Sequence, residues 1–435
     1  MADVPTSHVP ASHVPASHVP ASDSRVFDAD NHYYEALDAF TRYLDPGLGR
    51  RIVQWCEIDG RKYHVVAGKV NHAVVNPTFD PIARAGAMSE YFRGNPSGRT
   101  PMEYLAEREP IRPEYRDRDA RLRVMDEQGI DKIWLFPTLG VLYEQPLVED
   151  PEGVGIMCEA FNRWLDEDWG FAYQNRIFAA PYVSLADVDA AVRQLDWALD
   201  KGARVVVMRP AAPTTALGQR PPAFEWFDPF WARADEAGVT VVAHAGDSGY
   251  SLNGYGRGNF ATGFGGGGGG FGRDTGRGRG DDGSGGRRRR RGGPSVAFVQ
   301  FERAIYDFLA SLILDDFFGR FPNVRVASVE NGAEFLPDMF RKLRSARNKM
   351  PMLFDEDPVE TFKRNIWINP FWEDDVNEVV ECMGADRVLF GSDWPHIEGM
   401  RQPLDYLPEL KAFDDDDKRR ILRDNTEFLN TLQPL

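Results

Sequence analysis

From Asp119 to the C-terminus the chain alternates, with hardly a break, between short apolar β-branched segments and amphipathic ones. KIWLFPT, RIFAAPYVS, ARVVVMRP, VTVVAHAGD, VRVASVENG, NIWINPF and DRVLFGSDWP read as strands buried on both faces. The segments between them carry apolar residues at helical spacing, with helix signals at their ends. Asp187 is placed to cap DVDAAVRQLDWALDKG and Gly202 to stop it, and Gly129 ends ARLRVMDEQGI. One more strand, FDADNHYYE from Phe27 to Glu35, opens the ordered chain and makes eight. Alternation of this kind implies a parallel sheet. Eight units over 435 residues favour closure into a (β/α)8 TIM barrel, an α/β fold, over an open sheet. No Gly-x-Gly-x-x-Gly follows the first strand, which disfavours a dinucleotide-binding fold.

A barrel of this type places its site at the C-terminal ends of its strands. Those ends carry Asp30 and His32, Arg209, His244, Glu330, Asn369, and Asp393 with His396. Side chains alternate along a strand, so Asp30 and His32 share a face and form a two-residue metal clip. Glu35 lies at or past the end of the same strand. Carboxylates and imidazoles from several rigid strands are what a divalent ion needs, namely lone pairs that converge. The expected ligands are Asp30, His32, His244, Glu330 and Asp393. The expected catalytic groups are Asp393, Glu330 and His396. Arg209 either grips a substrate carboxylate through its planar fork or pairs with a carboxylate of the barrel.

The remaining segments bound the function. Residues 1–24 repeat SHVPA and read as a disordered tail, so His8, His13 and His18 are set aside. Residues 25–435 form the barrel domain, interrupted by an insert of about residues 36–118 and a glycine- and arginine-rich flexible loop of about residues 253–295. The insert shows no regular period and is expected to cap the barrel mouth or to form a dimer arm. His64 and His72 within it lack ligand spacing and read as structural. The run Arg287 to Arg291 reads as a solvated linker in a chain of net charge −16, which argues against nucleic acid as a partner. Cys56, Cys158 and Cys382 are far apart and read as reduced thiols. With no signal peptide or membrane-length apolar run in the sequence, the expectation is a cytoplasmic protein with no membrane partner. Its partners would be a small-molecule substrate and a second copy in a homodimer.

AHAG around His244, GSDWPH around Asp393 and the strand VRVASVENGAEF resemble the amidohydrolase superfamily. They are similar to its amidohydrolase-related (family 2) branch, which includes enzymes like aminocarboxymuconate-semialdehyde decarboxylase. The resemblance implies that the first-strand ligand pair falls on Asp30 and His32 and the fifth-strand ligand on His244. It also implies that Asp393 binds metal and takes a proton from bound water. Three departures stand out. The usual first-strand H-x-H is D-N-H here. Glu330 stands where the decarboxylases carry a sixth-strand histidine. The fourth strand, RVVVMRP, has no lysine to carbamylate.

The first functional expectation is a metal-dependent hydrolase that turns a metal-activated water on a small organic acid or amide, using zinc, manganese or iron as one or two ions. The alternatives are a non-oxidative decarboxylase on the same fold and a dinuclear iron or manganese oxygenase, for which the carboxylate-rich ligand set suits hard metals. A barrel without catalysis that binds partners through its arginine loop is the remaining reading.

Overall fold

The computed structural model describes residues 25–250 and 297–435, apart from Ala73 and Val75. The SHVPA tail, the core of the glycine-rich loop and the arginine run lie outside the described residues. Strand β1 (Val26–Tyr33) is buried along its whole length. The insert after it is more ordered than its sequence suggests. It holds an antiparallel sheet of β2 (Val53–Ile58), β3 (Arg61–Val66) and β4 (Lys69–Val70), then a pair of short strands, β5 (Ile82–Ala83) and β6 (Arg108–Glu109). These strands are short, and their turns rather than any period of two set them, so apolar alternation does not reveal them.

The regular part follows as β7 (Ile130–Pro137), β8 (Ile177–Ala179), β9 (Val205–Met208), a small hairpin of β10 (Thr214–Thr215) and β11 (Gly218–Gln219), then β12 (Thr240–His244), β13 (Arg325–Val329) and β14 (Ile366–Ile368). Helices stand between the parallel strands with the expected signals. Asp117 accepts from the Ala120 amide at the start of helix Arg118–Gln128, which ends at Gly129 with φ 73°. Asp187 caps helix Val188–Asp200 by accepting from the Ala190 amide.

The parallel pairings make a circuit. β1 pairs with β7 and β7 with β8; β9 pairs with β12, β12 with β13 and β13 with β14. Between β8 and β9 the link is a bridge from Tyr182 to Val207, with the Val183 amide on the Val207 carbonyl at 2.8 Å. Between β14 and β1 it is the segment 388–394. Val388 bridges to Ile368 and Trp394 to Asn31, and the Ala29 amide donates to Phe390 O at 2.8 Å. That segment was expected as a full eighth strand. It is an irregular ribbon instead, with isolated bridges at Val388 and Trp394 and a backbone that turns at Asp393 with φ 53°.

Asp28 fastens the seam. Its buried carboxylate accepts from Ser392 N at 3.0 Å, Ser392 Oγ at 2.5 Å and Asn31 Nδ2 at 3.0 Å. Burial nevertheless pushes this carboxyl up to about 6. Among the described residues no helix is long and apolar enough to cross a membrane. The three cysteines are free.

Candidate metal centre

Asp30 and His32 do share a face of β1: His32 Nε2 lies 3.2 Å from Asp30 Oδ1. Three other strand ends close on the same point. His244, the last residue of β12, places Nε2 at 3.5 Å from Asp30 Oδ1 and 3.3 Å from Glu330 Oε2. Glu330, directly after β13, reaches within 3.5 Å of His32 Nε2. Asp393 Oδ1 is 3.3 Å from His32 Nε2 and 2.6 Å from His396 Nδ1. Glu330 and Asp393 both sit in the left-handed region, with φ 57° and 53°. A non-glycine residue there costs about 1–3 kcal/mol, and such residues cluster where backbone geometry serves a site.

The chemistry of these atoms fits a cation. Asp30 Oδ1, His32 Nε2, His244 Nε2, Asp393 Oδ1 and His396 Nδ1 are buried without a hydrogen-bond partner among the described residues. His244 Nδ1 faces the Ala245 carbonyl at 2.8 Å. A carbonyl only accepts, so the imidazole proton belongs on Nδ1 and a bare lone pair on Nε2 faces two carboxylate oxygens. Lone pairs crowded in this way repel unless a positive charge sits among them. Burial alone would lower the basicity of His32, yet Asp30 and Glu330 raise it to about 10. Asp393 is pushed well up by burial and by Glu330, Glu398 and Asp30. His396 is pushed well down by burial and by His32 and His244. Two overlapping sets have ligand atoms within 4.8 Å of one another: Asp30, His32, His244 and Glu330, and His32, Glu330, Asp393 and His396.

The other expected residues lie elsewhere. Glu35 stays out of the cluster; its Oε1 accepts from the amides of Leu139 and Gly140 at 2.7 and 3.0 Å, at the start of the short helix Gly140–Tyr143. Arg209 is buried and engaged within the protein: Nε lies 3.2 Å from Glu144 Oε2, and Nη1 donates to Gln145 Oε1 at 2.6 Å and Asp247 O at 2.5 Å. Of the two readings of Arg209, this geometry is that of the ion pair. Asn369 lies at the end of β14 with Nδ2 on Leu389 O at 3.3 Å. His64 is packed between Trp55 and Tyr143, and His72 against Tyr63.

A cavity of about 160 Å³ opens onto His32, His244, Glu330 and His396. For scale, an apolar cavity of about 150 Å³ accepts a benzene ring. The insert supplies much of its wall through Val74, Asn76, Phe79, Ile82, Leu105 and Arg108. Among the described residues Arg108, on β6, is the one arginine or lysine that lines it, and its guanidinium makes no ion pair with any of them. Thr138, Arg108 and Glu398 at this site were not anticipated. Thr138 follows a strand end, which is a usable signal; Arg108 sits in a segment with no periodicity, and no sequence pattern marks it.

Comparison with known proteins gives the family. The amidohydrolase family model matches residues 30–429. An amidohydrolase from Mycobacterium avium subsp. paratuberculosis K-10 is 40% identical, with a TM-score of 0.83 over 94% of this chain and 100% of that one. More distantly, a 2,6-dihydroxybenzoate decarboxylase from Rhizobium is 20% identical, with a TM-score of 0.52 over 72% of this chain and 87% of that one. The 5-carboxyvanillate decarboxylase of Sphingomonas paucimobilis is 14% identical, with a TM-score of 0.54 over 93% and 98%. No curated protein matches the sequence.

Proposed function

Since the chain belongs to the amidohydrolase family over residues 30–429, we propose that it is a metal-dependent hydrolase of small, largely apolar organic acids or their amides and esters, built on a (β/α)8 barrel. The circuit of parallel pairings supports the barrel. The observation that carries the function is the convergence of buried, unpartnered carboxylate and imidazole atoms from four strand ends at the floor of an apolar cavity. Asp30, His32, His244 and Asp393, with Glu330 beside them, would hold the ion, which supplies an activated water and polarises a carbonyl. Asp393, whose Oδ1 lies 2.6 Å from His396 Nδ1 and 3.3 Å from His32 Nε2, would collect the proton of the bound water. Arg108, which lines the same cavity, would bind the substrate's acidic group, and the apolar insert side chains would exclude bulk water from the ring.

A second reading, non-oxidative decarboxylation of an aromatic acid, is favoured by the ring-sized cavity with the Arg108 guanidinium in its wall. It is also the activity named for two of the distant structural neighbours.

The deciding experiment takes protein purified without added metal, measures its metal content, and assays a panel of aryl esters, anilides and hydroxybenzoates. Hydrolysis that disappears on chelation and returns with zinc or manganese supports the first reading. Release of carbon dioxide from the hydroxybenzoates without hydrolysis replaces it with the second. A protein that takes up no metal refutes both.

A further inference from the structure

We propose that Arg121 is a positioning residue of the metal centre. It braces β1 and the closing ribbon against each other and so sets how His32 stands to Asp393. This rests on the metal-dependent reading above and adds to it a residue that touches neither ion nor substrate. Arg121 belongs to helix Arg118–Gln128, is fully buried and is not among the residues that line the cavity.

The inference starts from where the guanidinium donates. Nε donates to the Glu114 carbonyl at 2.8 Å, Nη2 to the His32 carbonyl at 2.7 Å and Nη1 to Asn31 Oδ1. Two of these bonds end on β1, one at His32 itself and one at the residue between Asp30 and His32. The Asn31 amide carries the contact further. Its Nδ2 donates to Asp28 Oδ2 at 3.0 Å, and Asp28 accepts from the amide and hydroxyl of Ser392 on the ribbon. The flat face of the same guanidinium lies over the Trp394 ring, 4.6 Å from its centroid, with the Trp169 ring at 5.4 Å. Ser392 and Trp394 are the chain neighbours of Asp393. The backbone completes the frame: Asp393 N donates to Asp30 O and His32 N to Trp394 O, each at 2.8 Å.

The ribbon needs such a brace. It meets its neighbours through isolated bridges rather than a full ladder, so regular strand pairing does little to fix its distance from β1. Ligand distances around an ion tolerate only about 0.2 Å. Asp30 and His32 come from β1 and Asp393 from the ribbon, so a slip between the two pulls the three apart. Arginine suits the task because its donors diverge in one plane and its face stacks on an aromatic ring; a lysine keeps the charge but has neither fork nor face. Among the described residues no carboxylate forms an ion pair with Arg121, and the three oxygens it bonds are neutral. The carboxylate of this network, Asp28, is reached only through the Asn31 amide.

The test uses the full chain, stripped with chelator and titrated with Co(II) alone. Competition with a chromogenic chelator reads the affinity, and the visible absorption of bound Co(II) reads the ligand geometry. Arg121→Lys should weaken Co(II) binding by about 10–100-fold and shift its absorption. Asn31→Ala leaves the guanidinium and its other two bonds in place and should weaken binding in the same direction by less. Arg325→Lys is the comparison for stability alone. Arg325 is also a fully buried arginine that donates to backbone carbonyls, those of Gly238 and Thr431, but it opens β13, at the strand end away from Glu330. Its variant should lower the denaturation midpoint and keep wild-type Co(II) affinity and absorption. Wild-type affinity and absorption in folded Arg121→Lys, or in Asn31→Ala where Arg121→Lys does not fold, overturn the role of Arg121 and leave the metal-dependent reading intact. Equal weakening in Arg325→Lys traces the loss to stability and overturns that role as well. A wild-type chain that takes up no Co(II) overturns both proposals.

Discussion

Gly391 sits on the irregular ribbon that closes the circuit, and a methyl group there tests how firmly Asp30 is held. A Cβ built at Gly391 would lie 2.4 Å from Asp30 Cβ and 2.7 Å from both terminal atoms of the Asn369 amide. Ordinary contact begins near 3.4 Å, so the Asp30 Cβ and the ribbon must separate by about 1 Å (3.4 − 2.4). The Asn369 amide is a side-chain end and can move. The Cβ of Asp30 is fixed to β1, which is buried at every residue. Metal–ligand distances tolerate only about 0.2 Å, so a carboxylate moved by several times that leaves the ion. Overpacking of this kind costs about 1–3 kcal/mol in stability. In Gly391→Ala the melting temperature of the metal-free protein should therefore fall by a few degrees, while metal affinity falls by at least about 10–100-fold, the loss seen when a ligand's supporting contact is removed. Scanning calorimetry of the stripped protein and a competition titration with a chromogenic chelator read the two effects separately. Wild-type metal affinity in a stably folded variant would refute the claim that close packing of the ribbon on β1 positions Asp30.

Other perturbations separate the structural from the functional polar groups. Arg108→Met should raise KM for acidic substrates by about 10–100-fold, the worth of a charge-assisted hydrogen bond, with kcat nearly unchanged; equal losses on neutral amides would show that Arg108 shapes the wall rather than binding charge. Removing one member of a buried ion pair costs about 3–5 kcal/mol, so Arg209→Met should lower the denaturation midpoint sharply, and adding Glu144→Gln should restore much of the loss. Burial pushes His64 down to about 3 from 6.5, so between those values the unfolded chain binds the extra proton. Stability attached to this group is therefore complete above pH 6.5 and drains away as pH falls toward 3, by up to about 1.4 kcal/mol per pH unit. His64→Phe should flatten that limb of a urea-denaturation series from pH 8 to pH 5, and an unchanged slope would show that another group controls it.

The strand ends at Asp30, His32, His244, Glu330 and Asp393 were legible in the sequence because each closes a short apolar segment. In a parallel arrangement of this kind the end of a strand is where the site must lie. The α/β class and the helix limits at Gly129 and Asp187 were legible for a related reason: burial on both faces, capping and left-handed turns each demand particular residue types nearby in the chain. What the tertiary structure decided concerns partners distant in sequence. Whether Arg209 meets a substrate or Glu144 depends on a helix turn 64 residues away, where its Nη1 also finds Gln145. What His396 Nε2 meets is Thr138, 258 residues earlier. The cavity wall comes from an insert whose short strands are held by turns and by packing over the site, and neither leaves a period in the sequence. Local chemistry is written along the chain; a lone pair's direction is fixed only by whatever folding brings up against it.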